Sequence, residues 1–302
     1  MSRPKTTRPL SPRRIGVIAA HTFTQLVRMK VFYFLGLFAV VVIGANFLQL
    51  PTHAAPENVG TELLYAIKST SLGCMSLFSL VLGIVATGLL LPKDVEDRTL
   101  YTILAKPVPR LDYLLGKLLG VAALIFLSLL VMDLLMNGVL AFRTQGVLAQ
   151  KLDFARQSGA SEETLAGIAA DVKALGPSWS LQGAVWVVFL RAMVIASVAL
   201  LLSTFSTSTL FTAIVGFLIL FAGFFQEDAR TAWFGGKGGL ATVGSAVLTI
   251  LLPDMHFYNL VDAVIEGKPL DAAHLLMATG LTAFYLVTYT FASWLIFARK
   301  EF

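Results

Sequence analysis

The chain is 302 residues long, 57% hydrophobic and only 14% charged, with a net charge of +5. Soluble domains carry about a quarter charged residues, so this composition excludes an ordinary water-soluble globule and predicts an all-α integral membrane protein. A single cysteine, Cys74, excludes an intrachain disulfide.

The first fourteen residues are basic and contain prolines. A cleaved secretory signal would set a short apolar region nearer the start and follow it with small residues, so the first span is read as retained. Residues 11–30 place Ile15, Ile18, Ala19, Leu26 and Met29 on one helical face and Arg13, His21 and Arg28 on the other. That is the pattern of an interfacial helix lying along the inner leaflet. Crossing about 30 Å of hydrocarbon takes roughly 20 apolar residues in a helix. Such runs predict six transmembrane helices, at about 31–50, 71–91, 113–140, 181–203, 209–226 and 273–298. The fifth is short but rich in aromatics, with Phe211, Phe217, Phe221, Phe224 and Phe225, and crosses with little tilt.

Residues 92–112, between the second and third spans, read PKDVEDRTLYTILAKPVPRLD. Asp94, Glu96 and Asp97 crowd the start and Lys106 the end, which suits a helix dipole, and Pro107 stops it. The segment reads either as a short cytoplasmic helix or as a solvated loop whose charges hold the topology. Residues 141–180 form the longest outer segment, where Ser161 can cap a helix, Glu162 and Glu163 fill its first turn, and Gly176 and Pro177 end it. Its charges cancel, which predicts a helical hairpin over the outer mouth. Residues 239–252 are apolar but stop at Pro253, a length that suits a re-entrant or surface helix before the last span.

Cytoplasmic segments of membrane proteins are enriched in Lys and Arg. With both the N-terminus and the C-terminus cytoplasmic, the inner segments hold fourteen bases against five acids, and the outer ones eight against twelve. The overall basicity is therefore an orientation signal and calls for no nucleic-acid partner. The whole chain, 1–302, reads as one membrane domain.

Catalytic signatures are missing from the sequence. His21, His53, His256 and His274 are scattered, with no HExxH and no metal-ligand spacing. There is no GxSxG elbow and no GxxxxGK[ST] phosphate loop, since Gly116 and Lys117 run into Leu118, and Gly236 and Lys237 into Gly238. The chain is not expected to be an enzyme or to hydrolyse ATP itself. Two ionisable residues sit inside spans, Asp133 and Arg191. Counted from the outer ends of their spans, their depths differ by about one helical turn. The expectation is an intramembrane polar pair, read either as a structural ion pair or as lining of a substrate path beside Asn137. Gly116 and Gly120 in GKLLG permit close helix approach. The polar cluster from Ser203 to Thr209 reads as a tight inner connection or as a second contact for a cytoplasmic partner.

Residues 96–120, EDRTLYTILAKPVPRLDYLLGKLLG, resemble the signature region of ABC type-2 permeases. The matching positions are Glu96, Thr99 and Leu100, Leu104, Pro107, Arg110, and Gly116 with Lys117. The stretch from Ile18 to Val31, with Phe23 and Arg28 to Lys30, and the closing Phe297 to Phe302 are similar to the same family, and the likeness is greatest to its copper-enzyme-maturation permease branch. Six spans, two inner termini, a leading interfacial helix and a re-entrant outer segment fit that topology, while the outer segment 141–180 is larger than many members carry.

The resemblance implies a prokaryotic cytoplasmic (inner) membrane location as a multi-pass permease. It implies pairing with a second permease chain, as homodimer or heterodimer, and with two cytoplasmic ABC ATPase subunits that bind the ATP and magnesium this chain lacks. The helix at 93–105 would then be the coupling helix, with Lys93, Asp94, Glu96, Arg98, Thr99, Leu100 and Leu104 at or near the ATPase contact. The function implied is export of a substrate driven by ATP. The alternatives are a mechanotransmitting subunit acting on a periplasmic partner and a secondary transporter, which the lone buried acid disfavours.

Overall fold

The computed structural model describes residues 10–28, 60–96, 108–206, 208–235, 252–265 and 270–299, and the single positions 37, 40, 41 and 243. Most of the predicted span at 31–50 and most of the 239–252 segment fall outside these residues. Every regular element among them is helical. In chain order they are α1 (Pro12–Arg28), α2 (Thr61–Glu96), α3 (Arg110–Gln157), α4 (Glu162–Ala174), α5 (Trp179–Phe205), α6 (Thr209–Phe224), α7 (Gln226–Gly235), a 3-10 turn (His256–Tyr258), α8 (Val261–Ile265) and α9 (Ala272–Arg299).

Four of these, α2, α3, α5 and α9, contain stretches long and apolar enough to cross a membrane. α6 has 16 residues, about 24 Å of helix, and falls short of the hydrocarbon thickness. The short connections are made by serine caps. Ser178 Oγ accepts from the Leu181 amide at the start of α5, and Ser208 Oγ from the Phe211 amide at the start of α6, so each chain reversal satisfies one helix-end donor locally.

Helix α2 runs parallel to α5 and is flanked by α3 and α6, both antiparallel to it. Close approach is made where side chains are small: a Cβ on Gly83 would stand 3.0 Å from the Ala192 carbonyl oxygen, and Gly216 faces Ile84. The core is built where these helices meet, from Leu64, Met75, Leu90, Leu124, Met136, Val188 and Leu200 among others. Helix α9 lies along α5, with Trp186 Nε1 donating to Thr279 Oγ1 at 3.2 Å. Thus the bundle has two ends. Glu96, Arg110, Phe205 and Arg299 close one, here the loop end; Thr61, Gln157, Trp179 and Ala272 lie toward the other, the hairpin end.

The third helix departs from its sequence-based limits. It continues through 140 to Gln157 as one helix of 48 residues, about 72 Å long, because no proline or paired glycine interrupts the register after the apolar stretch. At Ser158 and Gly159 the chain turns, Gly159 taking a φ of 73°, and α4 returns along α3 with Leu165 and Val172 buried. Ser161 caps α4, its Oγ accepting from the Thr164 amide.

Past α6 the chain folds back against the end of that helix. The Met255 amide donates to the Gly223 carbonyl at 3.1 Å and Gln226 Nε2 to the Leu252 carbonyl at 3.0 Å. Asp254 receives the amides of His256 and Phe257 and pairs with Arg230. Tyr258 is buried against Thr282 of α9, 2.7 Å between hydroxyls. Burial pushes its hydroxyl up to about 12, so it keeps its proton at neutral pH.

Candidate functional site

Charge gathers at the loop end of the bundle, and a single cation, Arg191, lies in the middle of α5. At the loop end, α2 and α3 enter and leave the segment 97–107. Lys93, Asp94 and Glu96 close α2; Arg98, Thr99, Leu100 and Leu104 lie outside the described residues. Asp94 does not point to water. Its Oδ2 is 2.7 Å from Lys117 Nζ of α3, and the two side chains are only 4% and 1% exposed. The Tyr113 hydroxyl donates to the same oxygen at 2.5 Å. A buried carboxylate needs such partners, because its desolvation costs several kcal/mol and is repaid only by close, hydrogen-bonded opposite charge.

Around this buried pair the neighbouring helices are tied in. Tyr113 stacks on Phe297 of α9 at 5.9 Å, and Arg110 donates to the Phe297 carbonyl oxygen while its guanidinium lies 5.6 Å from the Phe297 ring. Arg14 of α1 pairs with the fully buried Asp112 at 2.8 Å. One turn further on, a Cβ on Gly116 would stand 2.6 Å from Ile18 Cβ, and one on Gly120 the same distance from Thr22 Cβ. The apolar face of α1, expected against lipid, is instead laid on α3, and Arg13, Val17, His21 and Arg28 form its exposed side. Both flanks of the 97–107 segment are therefore bonded to each other and, through α3, to α1 and α9.

The intramembrane pair expected between Asp133 and Arg191 does not form. Asp133 receives Asn137 Nδ2 at 2.8 Å and a side-chain hydrogen bond from Gln182. Arg191 Nη1 reaches Ser76 Oγ of α2 at 3.4 Å, and its guanidinium lies 4.5 Å from the Phe224 ring of α6. The reason is register. Asp133 stands level with Gln182, nine residues before Arg191 on α5, which is about 13 Å along a helix. The apolar stretch of α3 ends near 140 but the helix runs on to Gln157, so the ends of the apolar stretches do not mark equal depths on α3 and α5.

A further buried charge escapes the sequence pattern of the spans. Lys68 lies before the predicted start of the second span and counted as an outer-loop base, yet α2 begins at Thr61 and buries Lys68 to 2% exposure. The signal was present in the helical spacing of Leu64, Ile67, Leu72 and Met75, which continues the apolar face of the span through the lysine. Among the described residues no group of three or more His, Cys, Asp or Glu is placed to hold a metal ion.

A bundle with four helices long and apolar enough to cross a membrane fits an integral membrane protein. The family model of the ABC-2 family transporter proteins matches residues 17–301. The chain belongs to that family. No curated protein matches the sequence. As an ABC-2 transporter protein it is a multi-pass membrane component of an ABC transporter, of a kind that is generally non-catalytic, and membership implies an ATPase subunit as its partner.

Proposed function

We propose that this chain is the permease of an ATP-driven ABC-2 exporter and that residues 92–112 are its contact with the ATPase. In this reading the protein has six spans with both termini and the 92–112 connection in the cytoplasm of a prokaryotic cell, works beside a second permease chain, and lies nearest the copper-enzyme-maturation branch. ATP and magnesium are bound by the partner, and Lys93, Glu96, Arg98, Thr99, Leu100 and Leu104 lie at or near the surface it touches.

The observation that carries this is the buried contact of Asp94 with Lys117 and Tyr113. A loop attached by flexible ends would absorb a push from a motor subunit, but one whose two flanks are bonded passes the displacement to α2 and α3 together. Packed interfaces respond to such a displacement by switching between discrete arrangements. Asp94 thereby becomes a holding residue on the permease side.

Charge reversal at Glu96 or Arg98 tests the assignment. The variants Glu96→Lys and Arg98→Glu are expected to insert and fold as wild type but to lose co-purification with the ATPase, or nucleotide-driven transport. Wild-type association and transport in both would remove 92–112 from the ATPase contact.

A further inference from the structure

Arg191 is a cation near the midpoint of α5, about 18 Å of helix from its start and about 21 Å from its end, and its partners among the described residues are neutral. Ser76 offers a hydroxyl at 3.4 Å and Phe224 a ring face, while Nε is buried without an acceptor. Among the described residues no carboxylate lies within ion-pair distance of it. Asp133 is held by Asn137 one level away, Glu227 is paired with His256 and Asp254 with Arg230. The undescribed segments of membrane character offer none either, because the sequence has no Asp or Glu from 29 to 56 or from 229 to 253. A charge retained inside a membrane protein without a countercharge marks a functional position.

The surroundings restrict what could supply the countercharge. Helices α2 and α6 run antiparallel with Gly88 against Thr212 and Ile84 against Gly216, and the same spacing brings Ser76 level with Phe224, where α6 ends. Phe221, Phe224 and Phe225 all present exposed ring surface at that end. The guanidinium thus sits against the Phe224 ring, at an end of α6 where three phenylalanines are exposed.

We propose that Arg191, with Ser76 and Phe224, is a recognition point for an amphiphile that bears an anionic headgroup on an apolar tail. The headgroup completes the guanidinium's hydrogen bonds, and the tail lies over the exposed phenylalanines. This deepens the permease reading by assigning it a substrate class and rests on that reading. The binding itself needs no ATPase, so its failure is separate from failure of the coupling assignment.

Native mass spectrometry of the full chain, titrated with phosphatidylglycerol, phosphatidylcholine or dodecyl phosphate, tests it. The tightest bound phosphatidylglycerol or dodecyl phosphate is expected to exceed phosphatidylcholine in affinity and to weaken by about tenfold or more in Arg191→Gln, the loss of a charge-assisted hydrogen bond. Arg191→Lys should restore part of it, and the exposed-base variant Arg13→Gln should leave it unchanged. Selectivity for phosphatidylglycerol alone assigns a bilayer lipid, and for dodecyl phosphate alone a single-chain amphiphile. The thermal melting of Arg191→Gln should equal or exceed that of wild type, because an uncompensated buried charge is removed. Equal binding of all three probes, or anionic binding that Arg191→Gln leaves intact, overturns the proposal, as does a lowered melting point with unchanged binding.

Discussion

Asp94 and Lys117 are both removed from solvent and 2.7 Å apart, so each depends on the other more than a surface pair would. Taking away one partner of a buried ion pair costs about 3–5 kcal/mol, because the charge left behind is uncompensated. Lys117→Met should therefore lower the melting temperature of the detergent-solubilised protein markedly. Combining it with Asp94→Asn, which still accepts from Tyr113, should recover most of the loss. A double variant no more stable than Lys117→Met would mean that packing of the lysine stem, rather than charge, holds this position. The sequence displays Asp94 among the acids that open the 92–112 segment but contains no sign that it turns inward. Nothing local distinguishes it from Glu96, since its orientation depends on Lys117 and Tyr113, nineteen or more residues away.

At the scale of elements, the crossing of α1 over α3 rests on two glycines. Bringing a methyl group to 2.6 Å of Ile18 or Thr22 Cβ forces the helices apart, and overpacking of this kind costs about 1–3 kcal/mol. Gly116→Val and Gly120→Val should each loosen α1, seen as faster proteolysis within residues 12–28 and a lowered melting temperature. Unchanged proteolysis in both would show that α1 is held by Arg14 and Asp112 alone. The GKLLG spacing announces a close approach, and the amphipathic pattern of α1 announces a buried face, but neither names the other as its partner. Helix limits behave similarly. Apolar length locates the spans, whereas the continuation of α3 to Gln157 follows from backbone hydrogen bonding that persists across a change from apolar to polar side chains.

Over the whole molecule the expectation is a directional one. The loop end carries Arg13, Lys93, Arg110 and Arg299, and the hairpin end the balanced charges of α3 and α4; positive segments are retained on the cytoplasmic side. In a Cys74→Ser background, Ser158→Cys at the α3–α4 turn should react with a membrane-impermeant maleimide added outside intact cells. Ser11→Cys should react only after the cells are opened. The reverse pattern would invert the orientation and detach the 92–112 connection from any cytoplasmic motor.

That the chain is helical, apolar enough for a membrane and without a GxxxxGK[ST] loop follows from composition, hydrophobic run length and motif spacing, which a linear reading contains in full. The family likeness was legible there too, in the consecutive residues 96–120. Helix packing, by contrast, is what turns Asp133 to Gln182, buries Lys68, closes Asp94 on Lys117 and leaves Arg191 among neutral groups. Those outcomes depend on the vertical register and rotation of one helix against another. A shift of a single turn, about 5 Å, exchanges every polar partner while leaving the pattern of each separate helix unchanged.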